Sequence, residues 1–185
     1  MSIWRGLSLV WPKNWFSILW APWRLAYITS FATEHRDKAC ILCEAPKLSD
    51  EESLIVYRGT RLYIILNRYP YNTGHLMIAP YRHIASFEDL DSEEILELGL
   101  LIKASLRALR DAYSPHGFNI GVNIGKAAGA GIEDHVHLHI VPRWVGDTNY
   151  MVIAGGVKVI PQLLEDTLKT LKPLITKYVS TLEGS

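Results

Sequence analysis

Between residues 91 and 113, apolar side chains recur every three or four positions, at Ile95, Leu98, Ile102, Leu106, Leu109 and Tyr113. That spacing draws one apolar stripe along an α-helix. Asp91 or Ser92 can cap its first turn, and Glu93 and Glu94 suit the positive end of its dipole. Lys103, Arg107 and Arg110 then read as a solvated basic side, and Ser114-Pro115-His116-Gly117 ends the element. A second helix is expected over 161–178, with Pro161 early in its first turn and Pro173 kinking or dividing it. Residues 18–30 read as a short helix broken at Pro22, with Trp20, Trp23 and Tyr27 on one face.

Elsewhere the pattern is that of strands. Residues 53–58 and 61–67 are rich in β-branched and aliphatic side chains around a turn at Gly59-Thr60, and 75–80 continues the series. Residues 118–124 form a further strand that enters a glycine-rich loop. The chain returns as His135-Val136-His137-Leu138-His139-Ile140-Val141-Pro142, in which three histidines alternate with aliphatic residues. A period of two puts His135, His137 and His139 on one face of a strand and Val136, Leu138 and Ile140 on the other. The return is short, so 118–124 and 135–142 should pair antiparallel. Links of hairpin length predominate, which predicts an α+β fold with an antiparallel sheet.

Composition narrows the class. The chain has 185 residues, 49% of them apolar and 21% charged, as in an ordinary globular protein with one core. Net charge is zero, so no global basic field recruits nucleic acid, and any phosphate site must be local. No apolar run reaches the roughly 18 residues of a membrane span. In residues 1–18, Trp4, Trp11 and Trp15 stand among Arg5, Lys13, Gly6 and Pro12, a poor fit to a signal peptide. The segment reads as an arm packed on the body or on a partner, with an interfacial membrane anchor as the alternative.

Two stretches carry candidate chemistry. Ahead of the histidine strand, residues 123–132 (Asn-Ile-Gly-Lys-Ala-Ala-Gly-Ala-Gly-Ile) hold three glycines, which let successive N–H groups turn toward one anion. No Gly-Lys-Ser/Thr ends the loop, so it is not a P-loop. The only two cysteines form Cys40-Ile41-Leu42-Cys43. Nothing suggests secretion, so a disulfide is not expected and a cytoplasmic location is. A C-x-x-C knuckle supplies half of a Cys₂His₂ zinc site, with His83, His135 and nearby His35 as candidates for the rest.

The stretch from His135 to Pro142 resembles the His-φ-His-φ-His-φ-φ signature of the histidine triad (HIT) family of nucleotide hydrolases and transferases. Leu19-Trp20-Ala21-Pro22-Trp23-Arg24, the loop Gly129-Ala130-Gly131-Ile132, and the run from Pro142 to Met151 are similar to its diadenosine tetraphosphate phosphorylase branch. The resemblance implies an antiparallel sheet of about five strands with a long helix packed on one face. It implies a histidine triad domain over 31–150, flanked by a Trp-rich extension (1–30) and a helical one (151–185) on the same domain. It implies nucleotidyl transfer from an adenine dinucleoside polyphosphate through a covalent histidine intermediate, in a homodimer without membrane or nucleic-acid partners. His137 would carry the AMP, its other ring nitrogen held by a backbone carbonyl near His135, and His139 would contact the phosphate. The amides of Gly129, Gly131 and Ile132 would face phosphate oxygen, Asn123 would hold a phosphate oxygen or a loop carbonyl, and Asn67 the ribose. His75 resembles the family's fourth histidine, beside the nucleotide and packed against the triad. The same resemblance assigns a zinc to Cys40, Cys43, His83 and His135. The hydrolase branches carry a Gln or Ser shortly before the first triad histidine. Here Gly131, Ile132 and Glu133 stand there, which favours inorganic phosphate over water as acceptor, with Arg143 either adding charge for it or held in a surface salt bridge. Hydrolysis of dinucleoside polyphosphates or phosphoramidates, a nucleotide-binding module without turnover, and a zinc-dependent structural protein are the competing readings.

Overall fold

The computed structural model describes residues 39–148 and 159–184. The arm expected over 1–18, the short helix over 18–30 and His35 lie outside the described residues. By its contacts the chain divides into Met1–Arg36 and Asp37–Ser185, and the fold is that of the second unit.

Five strands form one sheet: β1 (Ile55–Arg58), β2 (Leu62–Leu66), β3 (Leu76–Pro80), β4 (Gly117–Val122) and β5 (Leu138–Arg143). Their order is β1-β2-β3-β5-β4, and every neighbouring pair is antiparallel. Two one-turn helices, α1 (Ile41–Glu44) and α2 (Asp50–Ser53), precede the sheet. Helix α3 (Ser92–Tyr113) connects β3 to β4, and α4 (Leu164–Glu183) follows β5. Among the described residues no helix is long and apolar enough to cross a membrane.

The sheet is buried on both faces at its centre, and β2 and β3 are buried at every position. On one face Leu62, Ile64, Leu66, Leu76, Ile78, Leu138 and Ile140 pack against α3 and α4. On the other, Tyr63, Ile65, Met77 and Ala79 pack against Leu42 and Ala45. This explains why β2 and β3 read as continuous apolar runs rather than as alternations.

Helix α3 begins as its sequence suggests, with Asp91 and Glu94 forming a reciprocal capping box. Its buried face differs from the expected stripe. Leu98 and Leu109 are buried, but so are Leu101, Ala104, Ser105 and Ala108, while Ile95 is exposed. The helix is covered from two sides, by the sheet and by α4, so small residues that carry little periodic signal become core. Glu94 is buried too, because Arg82 grips it with Nε at 2.8 Å and a terminal nitrogen at 2.7 Å. Glu97 accepts the amides of Thr60 (2.7 Å) and Arg61 (2.8 Å) and so closes the β1–β2 turn from the helix.

Helix α4 corrects one expectation and narrows another, that Pro173 kinks or divides it. It starts at Leu164, leaving Pro161 outside, because Gln162 bonds Tyr113 Oη (2.8 Å) and Thr167 Oγ1 (3.1 Å) and holds the chain extended ahead of the helix. It also runs unbroken through Pro173. One backbone hydrogen bond is lost there, but Leu171 and Ile175 on either side are fully buried and hold the helix on α3.

Gly74 ends the turn into β3 at φ +75°, and a Cβ there would come within 2.9 Å of Leu109 Cδ2 and 3.1 Å of Tyr113. Gly74→Ala is expected to destabilise the fold by about 1–3 kcal/mol, from left-handed strain plus overpacking. Urea unfolding of the two proteins checks this; a loss under about 0.5 kcal/mol would contradict it.

Candidate functional site

The histidine stretch enters the sheet later than its alternation predicts. The ladder of β5 begins at Leu138, so His135 and His137 precede it. The backbone there has other partners: Val136 N–H donates to the Ile84 carbonyl at 2.7 Å. The imidazole of His135 takes the Pro80 carbonyl at the end of β3, Nε2 to O at 2.9 Å. Within the strand the alternation holds. Leu138 and Ile140 enter the core under the helices, while His139 points to the opposite face.

Each histidine's tautomer follows from its partners, because a carbonyl can only accept and an amide N–H can only donate. His135 donates Nε2–H to Pro80, so its Nδ1 is a lone pair. It faces Cys40 Sγ and Cys43 Sγ, each at 3.4 Å. His137 donates Nδ1–H to the His135 carbonyl at 2.8 Å, so its Nε2 is a lone pair. The Tyr71 amide donates to His75 Nδ1 at 3.1 Å, so His75 carries its proton on Nε2 and passes it toward His139 Nδ1 at 2.9 Å. With Nδ1 accepting there, His139 carries its proton on Nε2. A lone pair on His137 and a donor on His139 stand side by side, the two rings 4.9 Å apart. Burial holds His137 below the ordinary histidine value and favours the neutral imidazole, against the His135 hydrogen bond, which favours the charged one.

Cys40, Cys43, His83 and His135 come together from three segments, with all four ligand atoms within 4.8 Å of one another. His83 Nδ1 lies 3.3 Å from Cys43 Sγ. Tetrahedral zinc, with Zn–S near 2.3 Å and Zn–N near 2.0 Å, spaces sulfur and nitrogen ligands by about 3.5 Å. The donor set and its spacing fit such an ion. His83 directly follows Arg82, whose grip on Glu94 ties this segment to the start of α3.

The glycine loop is partly self-contained. Gly125 and Gly129 adopt positive φ around a 3-10 turn at Lys126–Ala128. The Gly129 amide is spent on the Lys126 carbonyl at 2.9 Å. Gly129, expected to face phosphate oxygen, makes the turn with that amide. The amides of Gly131 and Ile132 have no partner among the described residues. His75, expected beside the nucleotide and packed against the triad, is 1% exposed and has both its nitrogens engaged. Asn67 Oδ1 accepts the Tyr69 amide at 2.9 Å, and Asn123 lines a groove beside His139. Arg143 is no free cation. Asp147 takes Nε at 2.7 Å and a terminal nitrogen at 2.9 Å, and the Asn119 Oδ1 takes the other at 2.7 Å. Arg143 in turn holds the Asp147 carboxyl well below the usual carboxylate range.

Sequence reasoning missed the Tyr71 amide, the Pro80 carbonyl and the Asn72–Asp147 contact (Nδ2 to Oδ2, 2.7 Å). The first two are backbone groups, which no side-chain motif reports.

Burial, with His139 and His137 adding to it, depresses His75 from its ordinary 6.5 to about 3. A histidine depressed in the fold contributes stability that is complete above its unfolded value and is lost as pH falls from 6.5 toward 3. Stability of the protein should therefore drop below pH 6.5, and His75→Gln should flatten that drop by about 1 kcal/mol per pH unit. Chemical unfolding at pH 7, 6 and 5 checks it; parallel profiles would contradict the neutral assignment.

The comparisons with known proteins agree with this geometry. A family model described as HIT domain matches residues 49–145. A Mycobacterium tuberculosis protein named AP-4-A phosphorylase is 46% identical over 159 residues, spanning 83% of this chain and 81% of that one. Among solved structures, a hypothetical histidine triad nucleotide-binding protein from Sulfolobus tokodaii superposes with a TM-score of 0.58 at 25% identity, over 78% of this chain and 94% of that one. A Zn-bound histidine triad family protein from Mycobacterium smegmatis shares the fold, with a TM-score of 0.56 at 22% identity, over 84% of this chain and 96% of that one. With the matched stretch running through the antiparallel sheet and all three alternating histidines, the chain belongs to the HIT domain family.

Proposed function

We propose that the protein takes an adenylyl group from diadenosine tetraphosphate onto His137 and passes it to inorganic phosphate. The observation that carries this reading is the 2.8 Å hydrogen bond from His137 Nδ1 to the His135 carbonyl, which leaves Nε2 as the nucleophilic lone pair. The 46% identity to a protein named AP-4-A phosphorylase supports the substrate and the acceptor.

In the first step, Nε2 forms a P–N bond to the α-phosphorus while the bond to the bridging oxygen breaks. ATP leaves with that electron pair. Its terminal phosphate is a stable anion at neutral pH, so the departing oxygen needs a hydrogen bond more than a full proton. His139 Nε2–H supplies that bond. In the second step, an oxygen of hydrogen phosphate bonds to the same phosphorus as the P–N bond breaks. ADP forms, a proton passes to solvent and neutral His137 returns. Charge that builds on the phosphorus oxygens meets the amides of Gly131 and Ile132, preset donors in a half-buried site. Asn123 holds a phosphate oxygen and Asn67 a ribose hydroxyl.

Cys40, Cys43, His83 and His135 would hold a zinc ion as two thiolates and two neutral imidazoles, and its contribution is structural. It would tie the segment around Cys40 to the end of β3 and to the residue whose carbonyl orients His137.

Two tests follow. With labelled phosphate, cleavage of diadenosine tetraphosphate should saturate with phosphate and give ATP plus labelled ADP. His137→Ala should cut the rate by about a thousandfold or more while remaining folded. AMP and ATP as products, at a rate that ignores phosphate, would make the protein a hydrolase of the same family. For the metal, plasma emission analysis should find about one zinc per chain in protein purified without chelators. Cys40→Ser should lose it and melt at lower temperature; zinc-free, fully stable protein would overturn the assignment.

A further inference from the structure

The link between β2 and β3 forms neither helix nor strand, yet Asn72 within it is buried, at 5% exposure. Its side-chain nitrogen donates to the Pro142 carbonyl of β5 at 2.9 Å and to Asp147 Oδ2 at 2.7 Å. Its own carbonyl accepts the His75 amide at 3.2 Å. Both side-chain partners can only accept, which fixes the orientation of the Asn72 amide. We propose that Asn72 is a positioning residue: by clasping this link to β5 and Asp147, it keeps on the outer nitrogen of His139 the proton that meets the leaving phosphate oxygen. The proposal rests on the adenylyl-transfer reading of the site.

The path from Asn72 to His139 is short. Tyr71, the residue before it, aims its amide at His75 Nδ1 and lays its ring against the same imidazole, centroids 4.7 Å apart. His75 Nε2–H then donates to His139 Nδ1 at 2.9 Å. Two neutral imidazoles joined in this way have two arrangements. In the first, each ring holds its proton on Nε2. In the second, His75 holds its proton on Nδ1, its Nε2 accepts from His139 Nδ1–H, and the outer nitrogen of His139 is a lone pair. Each ring keeps one proton in both, so the low polarity around them does not choose. The choice falls to the group that meets His75 Nδ1. An N–H there requires a lone pair and selects the first arrangement. Without the Tyr71 amide the second becomes accessible, and a donor toward the substrate turns into an acceptor that repels a phosphate oxygen.

Donor count explains why the clasp is an asparagine. One side-chain atom must serve a carboxylate and a carbonyl at once; a hydroxyl has a single proton to give and an ionised carboxylate has none. Asp147 is a fixed acceptor, since Arg143 grips it through two nitrogens and keeps it ionised. A hydrogen bond to an ionised partner is roughly twice as strong as a neutral one. The ion pair at the end of β5 therefore reaches the histidines through Asn72.

The test reads the proton directly. Nitrogen-15 spectra that correlate the ring carbon-bound protons with the ring nitrogens tell an Nε2–H imidazole from an Nδ1–H one. In the unmodified protein at neutral pH, His75 and His139 should each show the single Nε2–H form. In Asn72→Ala both rings should show averaged signals of the two forms, and kcat on diadenosine tetraphosphate should fall about tenfold with KM changed less than about twofold. An Asn72→Ala protein that keeps the single Nε2–H form overturns the proposal, as does one that loses it with kcat unchanged. If Asn72→Ala is misfolded by circular dichroism, Asn72→Leu, which fills the space and donates nothing, carries the same comparison. If the unmodified protein does not cleave diadenosine tetraphosphate, the phosphorolysis reading fails, and the ring spectra still decide whether Asn72 sets the tautomers.

Discussion

His135 is the residue through which the two halves of the site are joined. It is fully buried, and both its ring nitrogens and its carbonyl have fixed partners. Its Nε2–H is held by the last carbonyl of β3, its Nδ1 faces the two cysteine sulfurs, and its own carbonyl accepts the proton side of His137. A rotation of this ring or peptide would leave buried polar groups unpaired, at a cost of about 1–3 kcal/mol each. The orientation of the proposed nucleophile is therefore set by the same residue that completes the Cys/His cluster. Hydrogen bonds that fix the orientation of ligand side chains are a general feature of metal sites, and here the same residue's carbonyl also orients His137.

The core on the helix side supports that arrangement at a distance. Helix α3 is tied to the segment carrying His83 by the Arg82–Glu94 pair, whose carboxylate is buried and whose guanidinium is half exposed. Arg82 holds the Glu94 carboxyl below its ordinary value, so this pair stays ionised under physiological conditions. Breaking it would leave a charge inside the protein, a far larger penalty than the loss of a surface ion pair. Glu97, one turn later, closes the β1–β2 turn. A single helix thus sets the positions of the strand ends on both sides of the sheet centre.

The histidine cluster depends on low polarity around it. His75, His137 and His139 sit within hydrogen-bond or ring contact. Burial disfavours protonation at His75 and His137. Neutrality is what permits a lone pair and a donor to stand next to each other with fixed tautomers. A charged ring would carry protons on both nitrogens and lose the directional chain that begins at the Tyr71 amide.

The sequence by itself determined the α+β class, the antiparallel pairing of β4 with β5, the capped start of α3 and the HIT signature, because each rests on local periodicity or on a short motif. It also named the four Cys and His residues of the cluster, two from the C-x-x-C spacing and two from the family resemblance. Tertiary structure decided the rest. The burial of Leu101, Ala104 and Ala108 follows from α4 packing on α3, a contact 60 or so residues away that leaves no periodic trace. The late start of β5 follows from the Pro80 and Ile84 carbonyls, which capture His135 and Val136 before the ladder begins. The turn around Lys126–Ala128 takes the Gly129 amide, and of the two roles open to Arg143 the ion pair with Asp147 is the one the fold makes. Each of these outcomes belongs to hydrogen-bond partners brought together by folding, and a linear pattern reports which groups can bond but not which of them meet.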